Sequence, residues 1–87
     1  MPGPAFERVR AVVSSVLEIP EEQLVPASSP DTIETWDSLQ HLNMVLAFEQ
    51  EFSVQFDPEE IEQMLSLELI TMLVEEKLQA AGGAHAG

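Results

Sequence analysis

Residues 37–52 read DSLQHLNMVLAFEQEF. An acid opens the stretch, a hydroxyl follows it, and two phenylalanines separated by acids and a glutamine close it. Asp37 is a good helix N-cap, because a short carboxylate can accept from the amides that the first turn leaves unpaired. Gln40, three residues on, completes a capping-box pattern. At ~100° per residue, Gln40, Asn43, Ala47, Gln50 and Glu51 fall on one narrow polar face. Leu39, Leu42, Met44, Val45, Leu46, Phe48 and Phe52 spread over most of the remainder. The stretch therefore predicts a helix to about Phe52, apolar over so wide an arc that it is expected to be the central one.

The flanking sequence repeats the helical period. Gly3 and Pro4 suit a cap and a first helical position. Phe6, Val9, Val13, Val16 and Leu17 then recur as one buried stripe, and Pro20 places the end near Glu18. From Ile19 to Trp36 no period holds. Pro20, Pro26 and Pro30, with Ser28 and Ser29, mark an irregular connection that Leu24, Val25 and Ile33 are expected to anchor. So long a loop in a small domain is uncommon and often functional. "FDPEEIEQM" (56–64) starts another helix, with Asp57 as cap, Pro58 in first position and Glu60 in the capping-box place; a short element over about Glu59 to Leu65 follows. Ser66 caps a fourth, in which Ile70, Leu73, Val74 and Leu78 keep the period and Lys77 lies near the negative end of the helix. Gly82 and Gly83 are expected to stop it, leaving 81–87 as a flexible tail in which His85 carries no signal. The fold class is all-α: a four-helix bundle with a long first loop and a short third helix, one domain over residues 1–80.

Charge narrows the function. The 87 residues hold sixteen acids and three bases (Arg8, Arg10 and Lys77), a formal charge of −13. Such a field repels nucleic acid and anionic membrane and speeds encounter with basic surfaces. No apolar run approaches the ~20 residues of a membrane helix, and no signal peptide is expected at the start. With no cysteine there is no disulfide or thiolate metal site, which fits a cytoplasmic protein. Glu59, Glu60 and Glu62 lack the spacing of a calcium loop and read as a solvated helix start, so no metal is expected. Met44, Met64 and Met72 read as core fillers.

Asp37, Ser38 and His41 invite comparison with a hydrolytic triad, but triads are assembled from residues distant in sequence. Asp37 is used as a cap, and no glycine-rich turn offers an oxyanion hole, so no catalytic residue is assigned. Ser38 suits modification instead. A hydroxyl just inside a helix start is exposed, and the amides and dipole there favour an attached phosphate.

The order of elements, with D-S-L opening an amphipathic helix and "FEQEF" (48–52) ending it, resembles an acyl carrier protein over about residues 5 to 80. The resemblance implies that Ser38, flanked by Asp37 and Leu39, carries a 4′-phosphopantetheine arm that a phosphopantetheinyl transferase adds from coenzyme A. The arm's thiol then bears acyl groups as thioesters. It further implies that the second helix meets acyl-loading and acyl-transfer enzymes with basic patches. Trp36, Gln40, His41, Asn43, Met44, Glu49 and Glu51 are the candidate contacts, and the carrier is expected to be a monomer. The bundle interior could also shelter an acyl chain.

This sequence also departs from the family. Carriers of fatty acid synthesis usually approach the serine through L-G-x-D-S-L; here "IETWDSL" (33–39) puts Thr35 in the glycine's place and Trp36 before the aspartate. Gln40, Asn43 and Gln50 stand where acids are usual. These departures favour a specialised lipid, polyketide or amino-acyl pathway. A competing reading is an acidic adaptor that binds a basic partner without a prosthetic group.

Overall fold

The computed structural model describes residues 3–86, all of them helical, turn or loop. Helix α1 spans Pro4–Leu17, a single 3₁₀ turn follows at Glu21–Gln23, and α2 spans Ser38–Phe52. Helix α3 is Pro58–Glu62 and α4 is Leu67–Ala86.

Both long helices at the front of the chain stop by one device. Glu18 and Ser53 each turn left-handed, at φ 57° and 56°, and return their amides to Ser14 and Glu49. The next amides, of Ile19 and Val54, reach the same two carbonyls at 3.2 Å. A left-handed turn suits glycine best, so these two exposed residues hold their geometry through those hydrogen bonds.

Helix α1 is the member that packs on both α2 and α4. It gives Phe6, Val9, Val13 and Leu17 to the core, at the expected spacing. The expectation that α2 is central is corrected. Only Met44, Val45, Phe48 and Phe52 of α2 are buried, while Leu39, Leu42 and Leu46 are 67%, 54% and 58% exposed. With α1 as its main neighbour, α2 can bury one strip, and the rest of its apolar arc faces solvent.

The long loop is ordered by its own turns. Ser29 and Thr32 exchange hydrogen bonds, and the amide of Trp36 reaches Ile33 O at 3.1 Å. Leu24 is buried, as is Trp36; Ile33 is partly so, but Val25 is exposed and anchors nothing. The loop also starts α4. The amides of Leu67 and Glu68 donate to Ser28 O and Pro26 O at 3.0 and 2.9 Å, and Ser66 Oγ accepts from Leu69 N. Three donors that a helix start leaves open are thus satisfied.

Helix α3 ends three residues earlier than its sequence suggests. After Glu62 the amides of Gln63 and Met64 bond three residues back, to Glu60 O and Ile61 O. This tightened turn drives Met64 into the core. Met72, expected beside it, is exposed. The backbone of α4 remains helical through Gly82 and Gly83. Each glycine weakens a helix by about 1 kcal/mol relative to alanine but keeps its amide, and Ala80, Ala81 and Ala84 around them are strong helix formers.

Lys77 ties α4 back to α3. Its Nζ lies 2.8 Å from Glu60 Oε1 and 5.9 Å from the centre of the Phe56 ring, and the same carboxylate oxygen accepts from Asp57 N. The Lys77 hydrogen bond, then that amide, holds the Glu60 carboxyl below its ordinary 4.5. Glu60 in turn raises Lys77 above its ordinary 10.5. A lowered acid contributes stability above its unfolded value and loses it as pH falls through the folded one; a raised lysine contributes below its unfolded value and loses it at higher pH. The pair is therefore fully effective between about pH 4.5 and 10.5. Urea titrations of Lys77→Gln are expected to show a modest loss near neutrality. That difference from wild type should shrink on the acid side as Glu60 takes up its proton.

Candidate functional site

The site forms where the loop becomes α2. Asp37 is extended (φ −98°, ψ −175°), so its Oδ1 accepts from Gln40 N at 2.9 Å, and its carbonyl accepts the first helical bond, from His41 N. The capping box is only half built, because Gln40 Oε1 turns outward to Asn43 Nδ2 at 3.0 Å. Ser38 is the first residue of α2 and is exposed. Its amide and that of Leu39 lie at the open end of the helix.

His41 holds this end in place. Trp36 Nε1 donates to His41 Nδ1 at 3.0 Å, and the two rings lie side by side, within 18° of parallel and with centroids 6.1 Å apart. The other nitrogen, Nε2, lies 3.1 Å from Ile61 O, twenty residues on in α3. A carbonyl accepts only, so the hydrogen sits on Nε2 and Nδ1 is the acceptor for the indole. One imidazole thus joins the loop, α2 and α3. His41→Ala strands the buried indole N–H and frees α3 at Ile61, which should cost about 1–3 kcal/mol. Urea unfolding followed by fluorescence of Trp36, the single tryptophan, measures this directly.

The same bonds dispose of the triad. With both ring nitrogens engaged and Asp37 committed to the Gln40 amide, Ser38 has no base to take its proton. Among the described residues no cluster of acids and histidines could hold a metal ion.

Beside Ser38 lies an open cleft of about 500 Å³, bounded by Pro30, Trp36, Asp37, His41 and Leu42 as well. Pro30 and Leu42 were not candidates from sequence. An isolated proline in a loop and one leucine of an apolar arc give no signal until the loop folds against the helix.

The expected partner contacts are scattered. Gln40 and Asn43 face outward, bonded to each other. Met44 is buried and presents no surface, and Trp36, 3% exposed, shows only a ring edge in the cleft. Glu49 Oε2 accepts from Phe56 N at 2.9 Å. Glu51 pairs with Arg8 at 3.1 Å, whose guanidinium lies 4.5 Å from the Phe52 ring centre. Arg10 and Lys77 are also paired with acids, so the net negative charge is borne by acids that meet no base.

Fold and site together define a small helical protein whose distinctive group is one exposed serine at the start of its second helix. The chain is 34% identical over 74 residues to the acyl carrier protein of Petrotoga mobilis, covering 84% of this chain and 86% of that one. It is 30% identical over 75 residues to the acyl carrier protein of Thermosynechococcus vestitus, covering 86% and 93%. The solution structure of holo acyl carrier protein from Geobacter metallireducens superposes with a TM-score of 0.82 over 91% of each chain at 23% identity, a likeness of fold. No protein-family model matches the chain. The chain belongs to the acyl carrier protein family, and it is a carrier rather than an enzyme. Among the described residues no helix is long and apolar enough to cross a membrane.

Proposed function

We propose that Ser38 bears a 4′-phosphopantetheine arm, and that the chain presents acyl intermediates to the enzymes of a specialised lipid, polyketide or amino-acyl pathway as a monomer in the cytoplasm. The observation that carries this reading is the exposed Ser38 at the first position of α2, beside a cap that leaves it free. The site fits such a group. The Ser38 and Leu39 amides and the positive end of α2 suit the charge of a phosphodiester, and the adjoining cleft offers room for what the phosphate carries. When bound, the arm supplies the thiol that a cysteine-free chain lacks. Asp37 keeps the first turn in register, and His41 fixes its direction.

A pathway outside fatty acid synthesis is supported by α2 itself. Between Asp37 and Glu49 it has no acid, and Glu49 and Glu51 are engaged by Phe56 and Arg8. A partner with a basic patch thus finds few free acids on this helix and more on the loop and α3. The test is intact mass after incubation with coenzyme A and a broad-specificity phosphopantetheinyl transferase. A gain of one phosphopantetheine is expected. No gain on folded protein overturns the reading and leaves an acidic adaptor.

A further inference from the structure

The cleft beside Ser38 has a chemistry of its own. Its inner polar groups are already satisfied, the Trp36 N–H by His41 Nδ1 and His41 Nε2 by Ile61 O, and at the mouth Asp37 Oδ1 accepts from the Gln40 amide. What it offers a ligand is the ring of Pro30, the side chain of Leu42, which is 54% exposed, and the edge of the hydrogen-bonded indole–imidazole pair. Apart from the exposed Asp37 carboxylate and Ser38 hydroxyl at the mouth, the walls have no free donor or acceptor and favour an apolar group, since a hydrogen-bonding one would be desolvated there without a partner. At about 500 Å³ the cleft falls within the ~300–1,000 Å³ of ordinary small-molecule sites.

Two features direct an occupant to this side of α2. The opposite side, towards α3, is bridged by the hydrogen bond from His41 to Ile61. On the loop side, Pro30 is held by the hydrogen-bonded turn from Ser29 to Thr32, so the cleft exists before anything enters it.

We propose that this loop-side cleft is the resting site of the branched, apolar pantoyl end of the arm, the part that directly follows the phosphate. The inference rests on Ser38 as the attachment residue. The phosphate stays at the mouth with the α2 amides, and the two geminal methyls lie between Pro30 and Leu42 over the edge of Trp36. His41 acts as a positioning residue, closing the α3 side and presenting the indole.

The test uses the full chain, labelled with carbon-13 and nitrogen-15 and modified with unlabelled coenzyme A. Isotope-filtered nuclear Overhauser spectra should connect the arm's geminal methyls to the Leu42 methyls and to the Trp36 ring, whose signals are unambiguous because the chain has one tryptophan. In modified Leu42→Ser protein those contacts should be lost. Leu42 is half exposed, so this variant does not depend on repacking the core. Contacts to Ile61 or Glu62 instead, or none from an arm that the mass shows to be attached, overturn the cleft as its resting site. Absence of any mass gain overturns the reading of Ser38 itself, which the mass spectrum distinguishes before any Overhauser spectrum is recorded.

Discussion

Ser38→Ala is expected to abolish the gain of mass with coenzyme A and transferase completely, while its unfolding free energy stays within about 0.5 kcal/mol of wild type. The two halves of this result come from different physics. Loss of modification follows because the oxygen that would bond to phosphorus is gone. Retained stability follows because Ser38 is exposed, the cap belongs to Asp37, and alanine is the better helix former by a few tenths of a kcal/mol. Of the six other serines, Ser15 and Ser53 are exposed but sit inside α1 and at the C-terminal end of α2, where no open amides face a phosphate. The other four are engaged. Ser28 is buried, with its hydroxyl accepting from Val25 N; Ser14 Oγ donates to Ile19 O; Ser29 and Ser66 serve the loop and the start of α4. A variant that still gained one phosphopantetheine would place attachment elsewhere and overturn the assignment. Thermal melts beside the mass measurement exclude the trivial cause, a variant that has failed to fold.

Much of this arrangement is legible in the sequence wherever the cause is local. Gly3–Pro4, Pro20, Asp37 and Asp57–Pro58 each act within one turn, and the helices begin, or for Pro20 end, near where those residues put them. The stripe of α1 is buried as its spacing requires, with Val16 only partly so. Most of the misreadings have a different cause, a partner that only the fold brings near. Whether Leu46 or Phe48 is buried depends on which side of α2 meets α1, which the period of α2 does not contain. Glu49 and Glu51 look free until Phe56 and Arg8, the latter 43 positions away, are brought to them. His41 reads as an ordinary half-exposed histidine until Trp36 and Ile61 converge on it. Gln40 fits a capping box by position, yet Asn43 competes for its side chain and wins. An exposed serine at a helix start needs only its own neighbourhood, and Ser38 stands where the local sequence puts it. The cleft beside it needed the folded loop.

Phe48→Ala should be the most damaging of the stability changes, and Leu46→Ala, two residues away on the same helix, nearly silent. Phe48 is 0% exposed, and its ring lies 6.4 Å from that of Phe52 at a tilt of 38°. Removing a fully buried phenylalanine from a close-packed interior costs about 3–5 kcal/mol, because the transfer term and the cavity add. A domain of this size has about 4–13 kcal/mol in total, at roughly 0.05–0.15 kcal/mol per residue. The variant should therefore be visibly less helical by circular dichroism at 37 °C or unfold at far lower urea, and Ser38 should lose the ordered helix start that presents it. Leu46 is 58% exposed, and its truncation should change stability by no more than about 0.5 kcal/mol. Hydrophobicity alone ranks the two side chains together, whereas the packing of α2 on α1 separates them by several kcal/mol. Equal losses from both would mean that α2 is buried on a second face and that its exposed leucines are covered in solution. A large loss at Phe48 with none at Leu46 fixes which side of the helix holds the bundle together and leaves the other side free for partners.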